Sequence, residues 1–96
     1  MTTQEILSCV LRGKLAELRG FPYSKLQALP KSCQEAIPGV TRSGVQVWIE
    51  EQQDKSLKVT VQAFKSYFLG LGTSQIGGFR LSKDGSMTNL KPSELE

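Results

Sequence analysis

The chain has no histidine, only two cysteines and one tryptophan, and its 96 residues leave room for a single core. Without histidine the common zinc constellations cannot be assembled from this chain alone, and Cys9 and Cys33 fit no CxxC spacing. General acid–base catalysis loses its usual agent and would have to rely on carboxylates whose pKa burial has shifted. Glu50, Glu51 and Asp54 fall at an expected hairpin end, where solvated charge is the ordinary composition. The sequence therefore indicates no catalytic residue, no metal and no cofactor.

Long apolar runs are also missing. The most apolar stretch, 67–71, is far shorter than the roughly 20 residues of a membrane-spanning helix, and the opening Met-Thr-Thr-Gln-Glu has no basic leader. Two well-separated thiols without a secretion signal point to a reduced, cytoplasmic protein with no membrane role. The net charge of +3 is too dilute for a nucleic-acid footprint, although residues 1–44 carry six basic groups against three acidic ones. A nucleic-acid partner is therefore not expected; the alternative reading, nucleic-acid association through the basic N-terminal half, would use Arg12, Lys14, Arg19, Lys25 and Lys31, with Phe21 and Tyr23 as rings on which bases stack. Glycine is locally plentiful over 70–78, but Gln75 stands where a G-x-G-x-x-G phosphate loop requires its third glycine.

What is present reads as alternating local signals. Thr2 and Glu5 have capping-box spacing, and Leu7, Leu11, Leu15 and Leu18 recur on one helical face, so a core-facing helix runs from there to Gly20. Gly13 within it suggests a close packing contact. Pro22, Pro30 and Pro38 then permit only short helical pieces, expected after Ser24 and after Ser32 because both head an S-x-x-E/Q motif. On this reading Cys33 opens a short helix partly buried, and Cys9 packs beside the apolar stripe.

From Val45 the period changes to two. Val45, Val47 and Ile49 alternate with polar residues, as do Leu57, Val59, Val61 and Ala63. Keeping both apolar sets on one face pairs Ile49 with Val59, Val47 with Val61 and Glu50 with Lys58, the last as a cross-strand ion pair. The second strand is expected to continue into 67–71. The glycines that follow suggest a bend or bulge, then a hairpin of 79–81 with 87–90 around a primed Asp84-Gly85 turn, and a helical turn from Pro92.

The fold class is α+β: residues 1–96 form one domain, with the N-terminal helix and a short helical segment packed on one face of a roughly four-stranded antiparallel sheet. The alternation sends Trp48 to the other face with Gln46, Lys58, Thr60, Gln62 and Phe64. An aromatic platform rimmed by polar groups has the anatomy of a protein contact. The functional expectation is a non-catalytic protein-interaction module, a homodimer through its sheet with a possible further protein partner. The strand starting at Val45 has no lysine or proline before its turn and is the expected pairing edge. A small-molecule binder would instead need a pocket between helix and sheet near the glycines.

Overall fold

Thr2 closes the capping box expected of it: its hydroxyl accepts from the Glu5 amide at 3.2 Å, and the Glu5 carboxylate accepts from the Thr2 amide at 3.4 Å. Helix α1 (Thr3–Arg19) follows and ends on Gly20, whose amide reaches back to the carbonyls of Ala16 and Glu17. The computed structural model of the chain describes residues 2–66 and 72–91. The expectations for 67–71 and for a helical turn from Pro92 lie outside the described residues.

After α1 come α2 (Tyr23–Ala28), β1 (Ser32–Glu35), β2 (Ser43–Glu51), β3 (Leu57–Ser66), β4 (Gly72–Leu81) and β5 (Met87–Asn89). The five strands pair antiparallel in chain order, β1-β2-β3-β4-β5. Among β2 and β3 the register is the one the alternation demands: Val47 opposite Val61, Ile49 opposite Val59 and Glu50 opposite Lys58. Helix α1 lies over β3 and β4, and α2 against β2 and β3, both on the face carrying the apolar residues. Leu7, Leu11, Leu18 and Leu26 close the core over Val47, Val59, Val61 and Phe79, with Leu15 packed at its margin. Burying a side chain of this kind stabilises by roughly 1.5–3 kcal/mol.

Several local readings give way to tertiary structure. Ser32–Glu35 is a strand rather than a helical turn, which makes the sheet five-stranded and places β2 in its interior, paired on both sides. The edge of β2 is therefore not free to pair across a two-fold axis. Helix α2 starts at Tyr23, one residue before Ser24, with Pro22 as its N-cap and no side-chain cap. In β4 the described glycines cause no bend: Gly72, Gly77 and Gly78 all belong to one unbroken ladder with β3. At Gly77 the leucines of α1 lie close on the sheet: a Cβ there would stand 3.0 Å from Leu15 Cδ1. Gly13 makes no such contact; a Cβ built on it meets nothing within 4 Å.

The β2–β3 and β4–β5 turns have the same construction. In the β4–β5 turn the Gly85 amide donates to the Ser82 carbonyl and the Ser82 amide to the Ser86 carbonyl, with Gly85 at φ +95. Asp84 does not adopt positive φ, so the hairpin stands but its turn is a type I turn with a bulge rather than a primed one. The β2–β3 turn repeats this with Gln52, Ser56 and Lys55, the last at φ 70.

Candidate interaction face

The sheet's second face is built by the even-numbered residues that alternate with the core set. Gln46, Trp48, Lys58, Thr60, Gln62 and Phe64 all stand on it, each half-buried by its neighbours along the sheet. The ladder aligns them in rows. Ser32, Trp48, Thr60 and Gly78 form one row, and Gln34, Gln46, Gln62 and Ile76 the next, so that Trp48 is bordered by short side chains and by a line of glutamines. Ile76 ends that line 42% exposed, an unusual place for a large aliphatic side chain. Phe64 lies across Gly44, where an added Cβ would come within 2.8 Å of the ring. The six residues expected at an interface are thus brought together. Ser32, Gln34 and Ile76 join them, and sequence reasoning missed all three because β1 and the first half of β4 carry no apolar alternation.

A charged row crosses one end of this face: Glu50, Lys58, Arg80 and Thr88. Glu50 and Lys58 are directly opposed, yet among the described residues the ion pairs are Lys14 with Glu17 and Glu35, and Lys55 with Glu51. The expected Glu50–Lys58 contact is not formed. Beside the row, an open hollow of about 600 Å³ is lined by Glu50, Glu51, Asp54, Ser56 and Arg80. The Ser56 hydroxyl donates to Asp54 at 2.6 Å and the Ser56 amide at 3.0 Å, which holds the Asp54 carboxyl below the ordinary carboxylate pKa. That direction is opposite to the one a general acid requires.

The basic residues of the N-terminal half are distributed rather than gathered. With 100° per helical residue, Arg12 and Arg19 project on one flank of α1 and Lys14 on the other. Arg19 donates to Asn89 on β5 at 2.5 Å and lies 5.6 Å from the Phe79 ring centroid. Lys14 bridges Glu17 at 3.3 Å and Glu35 at 3.5 Å. Burial alone would lower its pKa, but the two carboxylates outweigh burial and raise it. Lys25 stands 4.1 Å over the Phe21 ring, and the Tyr23 hydroxyl donates to the Lys55 carbonyl, so both rings are engaged within the chain. Arg12 and Lys31 are exposed.

Between α1 and β1 the Lys14 bridge separates two clefts of about 260 and 220 Å³. Leu18, Phe21, Leu29 and Cys33 line the first, and Val10, Ile37, Pro38 and Val45 the second. These clefts lie on the β1 side, away from the glycine-rich strand around which a small-molecule pocket was expected. Cys33 is exposed on β1 and Cys9 is exposed on α1, contrary to the burial expected for each. Among the described residues no three Cys, Asp or Glu side chains gather as metal ligands, and no helix is long and apolar enough to cross a membrane. Comparison of the chain with family models, with curated proteins and with solved structures yields no match.

Proposed function

We propose that this chain is a non-catalytic protein-interaction module that self-associates through its sheet. The observation that carries the proposal is the face of Gln46, Trp48, Lys58, Thr60, Gln62 and Phe64, opposite the face on which both helices pack. Trp is enriched among residues that dominate binding energy, and here it stands between Ser32 and Thr60 without a bulky neighbour in its row. The surrounding groups are mostly neutral and polar, as in a contact rim.

Sedimentation equilibrium on wild type and Trp48→Ala tests this. The expected result is a dimer that the substitution weakens by about 2 kcal/mol, roughly thirtyfold in Kd. A wild-type monomer at tens of micromolar would end the proposal. A dimer indifferent to Trp48 would keep self-association and move the contact off this face.

A further inference from the structure

We propose that the seam of self-association is the outer edge of β1, paired antiparallel with β1 of a second copy about a two-fold axis through Cys33. This rests on the self-association proposed above and names its contact. All four residues of β1 are exposed, so no described segment covers this edge.

Hydrogen-bond parity limits the pairing. The Ile49 amide donates to the Lys31 carbonyl at 2.8 Å, which turns the backbone groups of Lys31, Cys33 and Glu35 toward β2. The N–H and C=O groups of Ser32 and Gln34 therefore face outward. A symmetric antiparallel pair can centre on Ser32, Cys33 or Gln34. Centring on Ser32 would set Gln34 in a hydrogen-bonded pair with Pro30, which has no N–H to give. Centring on Gln34 would match Ser32 with Ala36, beyond the end of the strand, and Cys33 with Glu35. Centring on Cys33 uses the strand as it is: Ser32 and Gln34 of each copy exchange both backbone bonds with Gln34 and Ser32 of the other.

The same register is the one that side-chain charge favours. Lys31 of each copy faces Glu35 of the second copy, and the two ion pairs flank the axis on the helix-bearing side. Glu35 retains two-thirds of its exposure while it touches Lys14, so its carboxylate is accessible to both lysines. At the axis the two Cys33 residues form a non-hydrogen-bonded pair with Cα atoms about 4.5 Å apart. That separation lies within the range a disulfide spans, roughly 4.4–6.8 Å. The other edge, β5, offers no equivalent: Asn89 is held by Arg19, and no charges of opposite sign flank its centre. Because the axis is perpendicular to the sheet, pairing at β1 makes one continuous sheet with both Trp48 faces on the same side, and each Trp48 then borders the seam through Ser32, its ladder partner on the paired edge, which is how its truncation weakens association.

Cross-linking with diamide reads the seam directly. Two Cys33 thiols lose two protons and two electrons to diamide, which is reduced to its hydrazine. At protein concentrations where wild type sediments as a dimer, wild type and Cys9→Ser should give a reducible dimer at least tenfold faster than Cys33→Ser. Lys31→Glu alone and Glu35→Lys alone should each weaken association tenfold or more, and an equimolar mixture should restore it, because each charged pair is then again of opposite sign. A sedimenting dimer in which Cys33 cross-links no faster than Cys9 overturns the seam while leaving self-association standing. A dimer indifferent to Lys31→Glu does the same, and a wild-type monomer removes both.

Discussion

Lys55 and Gly85 occupy the same position in two turns of one construction, at φ 70 and φ 95. An Asp precedes each, Asp54 and Asp84, and each Asp accepts from the backbone amide of the Ser two residues on, Ser56 and Ser86. Glycine meets the left-handed requirement without strain, whereas a side chain there costs roughly 1–2 kcal/mol.

Lys55→Gly should therefore stabilise the protein, by about 0.5–1 kcal/mol once the greater flexibility of glycine in the unfolded chain is counted. The Lys55–Glu51 pair that it removes spans 3.7 Å between exposed side chains and offsets little. Gly85→Ala should destabilise by a similar amount. Urea unfolding of both variants measures this, and a destabilised Lys55→Gly would contradict the turn assignment.

Gly13→Ala should raise stability by about 1 kcal/mol, because the position is helical and open. Gly44→Ala should lower it by about 1–3 kcal/mol, since the methyl would meet the Phe64 ring at 2.8 Å and the Glu35 carbonyl at 3.0 Å. Thermal melts of the two variants should shift in opposite directions.

Val61→Asp should abolish cooperative folding. Val61 is fully buried between Val47 and Gly77 beneath α1, and a carboxylate there has no partner. A soluble variant that melts cooperatively would overturn the register.

The pH dependence has two limbs. Asp54 and Asp84 are depressed below 3.8, Asp54 chiefly by the Ser56 hydroxyl and Asp84 chiefly by the Ser86 amide. Their contribution is complete above pH 3.8 and is lost as pH falls through the lower folded-state values. Lys14 is raised above 10.5 against the pull of burial, so its contribution is complete below that pH and is lost as pH rises through the folded-state value. Urea midpoints should fall on acidification below about pH 4 and less so in Asp54→Asn/Asp84→Asn.

Legibility in the sequence followed how local the deciding interaction is. The capping box and the β2–β3 register depend on neighbours in sequence or on a two-residue period, and both could be read. Strand β1 could not: Ser32 and Glu35 satisfy a capping pattern, and only pairing with Trp48, Val47, Gln46 and Val45 makes the segment extended. Gly77 looked like a breaker because the leucines that approach it belong to a helix some sixty residues earlier. The six residues of the Trp48 face followed from period alone, whereas the three that complete it depend on strands the period does not reveal.

The sheet is a meander in which each strand pairs with the next, but α1 packs on β3 and β4. The sheet can therefore grow hairpin by hairpin as the chain is made, each closure spanning a short loop. Helix α1 is synthesised first and must wait for β4 before its leucines are covered. At roughly 5–20 residues per second that is about 3–12 s during which Leu7, Leu11 and Leu15 present an amphipathic stripe without its sheet. Synthesis of this protein should thus leave helix α1 a chaperone substrate until the chain has passed Leu81.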